Sequence, residues 1–225
     1  MLAFEQVRKV YDGSGGRTEV LRGLDFRLSP GETAVIRGPS GCGKSTLLFT
    51  AGAMLPPDSG RVRLGDESLY EISGTRRNRL RASSVGFVFQ RFHLVPYLTV
   101  AENILWPLRW QSDTGEPGQR FADLVRKLRL ESRLNERPGH LSAGEQQRVA
   151  LARALIGGKR LICADEPTGN LDEENAAIVL DMLKEEAGRG AMVLLVTHHA
   201  TPPGYGDIEC VWPDSDSPRV IRENA

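Results

Sequence analysis

Between the apolar run Thr33-Ala34-Val35-Ile36 and a helix-like run beginning Ser45-Thr46-Leu47-Leu48-Phe49, the chain reads Gly38-Pro39-Ser40-Gly41-Cys42-Gly43-Lys44-Ser45. This octapeptide fits GxxxxGK[ST], and it lies in the strand-then-helix setting from which the pattern takes its meaning. Glycines at Gly38, Gly41 and Gly43 free the backbone to wrap N–H groups around phosphate oxygens, and the following helix adds its positive end. Lys44 is placed to reach the β- and γ-phosphates, and the Ser45 hydroxyl to hold Mg²⁺. The pattern predicts a nucleoside-triphosphate site.

Three further apolar runs share one property with the first: each ends in a polar residue suited to phosphate chemistry. Val85-Gly86-Phe87-Val88-Phe89 runs into Gln90, Leu161-Ile162-Cys163-Ala164 into Asp165-Glu166, and Val193-Leu194-Leu195-Val196-Thr197 into His198. Runs apolar at every position suit strands buried on both faces, as in a parallel sheet, and ligands of such sheets sit beyond the carboxyl ends of the strands. The four termini are therefore predicted to converge on one site. There Asp165 is suited to hold Mg²⁺, and Glu166 to polarise an attacking water.

Helical patterns separate these runs. Phe121, Leu124, Val125 and Leu128 form one stripe; Ile178, Val179, Met182 and Leu183 form another, closed by Gly188. Alternation in Arg61-Val62-Arg63-Leu64, after the turn signal Pro56-Pro57-Asp58-Ser59-Gly60, predicts a small antiparallel sheet beside the nucleotide core. Residues from about Phe92 to Leu141 read as mostly helical, opened by a capping box at Thr99-Val100-Ala101-Glu102. The expected architecture is α/β: a P-loop NTPase core with a mostly parallel sheet, a small antiparallel β subdomain and an inserted helical subdomain. All of it forms one domain over 1–225, with the core at about 1–91 and 157–225 and the insertion at about 92–156.

At 225 residues and 40% apolar composition the chain can bury one sizeable core. Its formal net charge is zero, which gives no electrostatic case for nucleic acid, and none is expected as a partner. The basic run Arg76-Arg77-Asn78-Arg79-Leu80-Arg81 reads as a solvated helix face. No apolar run approaches the ~18 residues of a spanning helix, and Met1-Leu2-Ala3-Phe4-Glu5 lacks a signal-peptide layout, so a soluble, cytoplasmic protein is expected. Cys42, Cys163 and Cys210 show no metal-ligand spacing and read as reduced thiols.

Leu141-Ser142-Ala143-Gly144-Glu145-Gln146-Gln147-Arg148-Val149-Ala150-Leu151-Ala152-Arg153-Ala154-Leu155, together with Asp165-Glu166-Pro167-Thr168-Gly169-Asn170-Leu171-Asp172 and His198, resembles the ATP-binding cassette ATPases that drive ABC transporters. The resemblance runs from about Phe4 to His198. It implies an ATPase using ATP and Mg²⁺, with Tyr11 stacking on adenine and ATP bound by Gly38, Pro39, Ser40, Gly41, Cys42, Gly43, Lys44, Ser45 and Thr46. It places the metal at Ser45, Gln90 and Asp165, with Gln90 also sensing the permease. Catalysis falls to Glu166, supported by Lys44, Gln90 and a γ-phosphate-sensing His198. The signature loop Leu141, Ser142, Ala143, Gly144 and Glu145 acts in trans, and Asn170, Leu171 and Asp172 form an inter-subunit loop.

The resemblance further implies two copies, or a paired ATPase subunit, sandwiching two ATP, and a separate integral membrane permease that holds them peripherally on the inner face of the cell membrane. The wording from Pro167 to Asp172 looks like the lipoprotein-releasing, macrolide-exporting and cell-division branch, which points to export or envelope transport of lipid, lipoprotein or peptide. An importer ATPase and a non-transport ABC ATPase are the alternatives. Trp106 and Trp110, at i and i+4, read as packing within the helical lobe, with a permease-facing role left open by their nearness to Gln90.

Family members commonly carry glycine and glutamine where this chain has Ala143 and Glu145. Ser142-x-x-Glu145 is itself a capping box, for a helix expected over Gln146–Leu155 and stopped by Gly157-Gly158. Ala143 is expected to restrict backbone angles that glycine permits, and a carboxylate near another subunit's γ-phosphate to cost binding energy, so retuned activity is expected. After His198 the resemblance fades. His199 stands where aspartate is common, no room is left for the regulatory domain some importers carry, and the tail reads as turns with a strand or two.

Overall fold

The computed structural model describes residues 1–13, 16–110, 117–198, 201–212 and 219–222. In chain order its elements are β1 (Leu2–Gly13), β2 (Gly16–Leu28), β3 (Thr33–Arg37), α1 (Lys44–Ala51), β4 (Ser59–Leu64), β5 (Glu67–Ser68), α2 (Gly74–Ser84), β6 (Val85–Val88), α3 (Val100–Leu105), α4 (Pro117–Lys127), α5 (Ala143–Leu155), β7 (Leu161–Asp165), α6 (Glu173–Gly188), β8 (Met192–Val196), β9 (Ile208–Val211) and β10 (Arg219–Arg222). Short 3-10 turns stand at Trp106–Trp110, Glu131–Arg133 and Pro138–His140.

The four runs singled out by their polar ends lie side by side, in the order β3-β8-β7-β6, and every pair is parallel. Ile36 pairs with Val196, Val196 with Asp165, and Val88 with Ala164, so the carboxyl ends are level and the residues beyond them meet. The reason these strands are apolar at every position is visible in the packing. Ala34, Ile36, Leu161, Cys163, Met192, Leu194 and Val196 enter one core, and Val35, Ile162, Ala164, Val193 and Leu195 enter the other. Successive side chains of a strand point to opposite faces, so both registers must be apolar when both faces are covered.

The first core is closed by α1 and an antiparallel sheet of order β2-β1-β4-β5, in which Leu2 pairs with Leu28 and with Leu64. The second is closed by α5, α6 and the helical segment, whose Val100, Ile104, Leu124, Val125 and Leu128 are buried against it. The stripes on α4 and α6 thus pack as their spacing predicts. β9 joins the parallel sheet beside β3, and β10 adds an antiparallel edge. His199 and the run 213–218 lie outside the described residues.

Three expectations need correction. The helical segment opens at the expected capping box, with Thr99 as N-cap of α3, but the stretch from Phe92 to Leu98 is irregular and not helical, held by Asn103, whose buried amide donates to Val95 O, Leu98 O and Thr99 O and accepts from Val95 N. The signature helix begins at Ala143 and not Gln146, because Ser142 is its N-cap. The two tryptophans are not lobe core. Trp106 is 37% and Trp110 69% exposed, since the turn carrying them is a 3-10 helix, whose period of three does not keep i and i+4 on one buried face.

Candidate nucleotide-binding and hydrolysis site

The phosphate loop joins β3 to α1. Its last glycine, Gly43, is the N-cap of α1 at φ 115°, and no side chain caps the helix. A Cβ there would lie 2.2 Å from Val20 Cγ1, so position and backbone angle both demand glycine. The first-turn amides of α1 are left for an anion. Lys44 Nζ donates to Gly38 O at 2.8 Å and to Pro39 O at 2.7 Å, which folds the ammonium into the loop. Cys42 is half-buried, its Sγ 4.0 Å from that Nζ. Tyr11, exposed on β1, brings its hydroxyl within 3.3 Å of Thr46 Oγ1 and so stands at the rim of the loop.

A cavity of about 560 Å³ opens over this loop, lined by Gly38, Ser40, Gly41, Gly43, Lys44, Ser45, Thr46, Gln90, Asp165, Glu166, Val196 and His198. It therefore gathers residues from all four strand ends. Ser45 Oγ donates to Asp165 Oδ2 at 3.1 Å. Burial pushes the Asp165 carboxyl above its ordinary range and the charge of Glu166 adds to this, while the Ser45 hydrogen bond and Lys44 oppose it. A hydroxyl and a carboxylate oxygen side by side form a hard-oxygen donor pair that suits Mg²⁺ sharing its remaining positions with phosphate and water.

Glu166 takes φ 46°, a left-handed angle uncommon outside glycine, fixed by its N–H donating to Val196 O at 2.9 Å. Its carboxylate is gripped twice by the next strand end: His198 N donates to Oε2 at 3.2 Å, and His198 Nδ1 lies 2.7 Å from Oε1. An ionised carboxylate only accepts, so Nδ1 is the donor there.

The signature residues are elsewhere. Leu141, Ser142, Ala143, Gly144 and Glu145 do not line this cavity. Leu141 is buried, Ser142 caps α5, and Ala143 opens the helix with no left-handed angle, so the expected backbone restriction is not felt. The capping box is complete: Glu145 N donates to Ser142 Oγ at 3.3 Å and Ser142 N to Glu145 Oε2 at 2.8 Å. The other carboxylate oxygen accepts from Arg133 Nε at 2.8 Å. These bonds, the Ser142 amide first, hold the Glu145 carboxyl below its ordinary range, and Arg133 offsets the charge expected to be costly. In the loop after Glu166, Asp172 caps α6 by accepting from Asn175 N at 2.8 Å, and Leu171 N donates to Thr168 O.

A family profile described as "ABC transporter" matches residues 21–169. The chain belongs to this family. It is 43% identical over 201 residues to the lipoprotein-releasing system ATP-binding protein LolD of Psychrobacter arcticus, covering 88% of this chain and 89% of that protein. Identity to the macrolide export ATP-binding/permease protein MacB of Nitrosomonas europaea is 42% over 200 residues, covering 88% of this chain and 30% of MacB. Among solved structures, the dimeric ABC transporter cassette MJ0796 superposes with a TM-score of 0.89 at 31% identity over all of both chains, as does its post-hydrolysis dimer bound to ADP and Pi.

Within this ABC cassette, α5 makes contacts with the segments that flank the site, which sequence reasoning missed. Gln147, buried, donates to Pro167 O at 2.8 Å just after Glu166. Arg153 donates to Phe92 O at 2.8 Å and His93 O at 2.6 Å just after Gln90. Arg148 bonds Asn175, which also holds Asp172. A Cβ on Gly144 would come within 2.8 Å of that Asn175 side chain, which explains the glycine. The one available signal was the presence of polar residues on a helix otherwise rich in buried apolar side chains.

Proposed function

We propose that two copies of this chain enclose two ATP between phosphate loop and signature loop and hydrolyse them to drive a separate membrane permease. The observation that carries this reading is the separation of parts. Lys44, Ser45, Asp165, Glu166 and His198 share one cavity, whereas Leu141–Glu145 lie outside it, which supports a signature supplied by a second copy. Ser45 and Asp165 would hold Mg²⁺, which when bound neutralises phosphate charge. Glu166 accepts the proton of the attacking water, and His198 orients it. Lys44 and the α1 amides hold the phosphates, Tyr11 the adenine, and Gln90 reports the permease. The chain acts as one domain.

Similarity to lipoprotein-releasing and macrolide-exporting proteins supports export or envelope lipid, lipoprotein or peptide transport. Among the described residues no helix is long and apolar enough to cross a membrane, which supports peripheral attachment through the permease on the inner face. A groove beside α2, lined by Arg79, Arg81, Arg109 and the exposed Trp110, suits an acidic segment with an apolar anchor and so supports a permease-facing role for Trp110.

Glu166→Gln tests the chemistry. The variant should bind ATP normally yet release phosphate roughly 10²-fold more slowly or worse, about 3 kcal/mol of barrier. A near-normal steady-state rate would remove Glu166 from the role of base.

A further inference from the structure

Glu145 presents a problem to any partner that approaches the signature loop carrying phosphate. The capping box needs a carboxyl or amide oxygen at this position, and an ionised one serves the positive helix end best. The Glu145 side chain is 16% exposed on the loop that such a partner would approach. One oxygen is spent on Ser142 N; the other accepts from Arg133 Nε at 2.8 Å.

Arg133 is held in place by its backbone as well as by this bond. It closes the 3-10 turn Glu131–Arg133, with its N–H donating to Leu130 O at 3.0 Å and its carbonyl accepting from Glu136 N at 2.9 Å. Its side chain is 44% exposed against 16% for Glu145, so the guanidinium covers the carboxylate on the solvent side. Neighbouring carboxylates are engaged separately, Glu174 with Arg129 at 2.6 Å and Asp172 with Asn175. Arg148, one turn along α5, lies within electrostatic reach of the Glu145 charge but bonds Asn175, so Arg133 is the cation bonded to it directly.

We propose that Arg133 is a positioning residue of the composite hydrolysis site: it neutralises Glu145 so that the signature loop can close on the triphosphate held by the other copy. This rests on the in-trans reading of Leu141–Glu145 given above. The alternative, that Arg133 merely staples its turn to α5, makes no demand on nucleotide-driven association, and the two are separable by a double-mutant cycle.

The cycle is run on Glu166→Gln protein with Mg-ATP, following dimer formation by sedimentation velocity across protein concentration. Arg133→Ala should raise the half-dimerisation concentration about tenfold, a loss of roughly threefold at each of two identical contacts. Adding Glu145→Gln should restore it to within about twofold, and Arg133→Lys, which keeps the charge, should fall between. Nucleotide affinity and thermal midpoint of the dilute protein should be the same for all. Unchanged dimerisation in Arg133→Ala, or a double variant as weak as Arg133→Ala, overturns the proposal. A parent protein that stays monomeric in Mg-ATP instead overturns the sandwich reading itself, and this proposal with it.

Discussion

Glu166 sits at φ 46°, a conformation that costs a non-glycine residue on the order of 1–3 kcal/mol and persists only where the surroundings over-determine it. The surroundings here are the Val196 carbonyl and the two His198 donors, and together they aim one carboxylate into the cavity beside Ser45 and Asp165. The loop opposite is packed as closely. Half-buried Cys42 Sγ lies 4.0 Å from Lys44 Nζ and 2.9 Å from where a Cβ on Gly38 would stand, so a bulky group on the thiol crowds the phosphate loop. Alkylation of Cys42 by N-ethylmaleimide should therefore abolish nucleotide binding, and saturating Mg-ATP should slow the labelling several-fold. Mass spectrometry with and without nucleotide measures this; equal labelling in both would show that the thiol reacts without entering the phosphate site.

Among the elements, α2, α5 and β7 meet at a lysine that the sequence does not distinguish from the surface ones. Lys159 is buried, its Nζ donates to Ala82 O at 2.6 Å, and burial pulls its pKa down to about 8. The unfolded chain keeps its lysines near 10.4, so between about pH 8 and 10 it holds a proton that the folded protein has released. Stability contributed by this site therefore rises with pH across that window, and the cost of burying the charge is present below it. The thermal midpoint of the native protein should gain on that of Lys159→Met from pH 7 to 9.5, and parallel curves would show that Lys159 is effectively solvated.

The same region shows what could be read from the chain and what could not. The phosphate loop, both capping boxes and the strand-end residues are legible because their meaning lies within a few neighbours, through backbone freedom, cap spacing or an apolar run. Gln147 on Pro167, Arg153 on Phe92 and His93, and Arg133 on Glu145 depend on tertiary pairing between distant or separately folded segments. The tryptophan pair misled for a related reason: spacing of i and i+4 implies one face only if the local helix is α, and here it is 3-10.

For the whole molecule, two cores on the two faces of one sheet hold the four strand ends level, and α5 ties the segment after Gln90 and the loop after Glu166 to the loop Leu141–Glu145, which does not line the cavity. On the proposed reading such a chain carries two half-sites that do not share a cavity within one copy. Two-fold pairing completes both, because in a self-complementary dimer each copy gives what it receives. Mixing two dead proteins tests this directly. Lys44→Ala lacks a working phosphate loop; Ser142→Arg lacks a working signature and gives up a helix cap worth about 1 kcal/mol, too little to unfold a domain. In a mixed dimer one composite site retains both wild-type halves, so an equimolar mixture should recover up to about a quarter of the native ATPase rate although neither parent turns over. A mixture no more active than its parents would contradict the account.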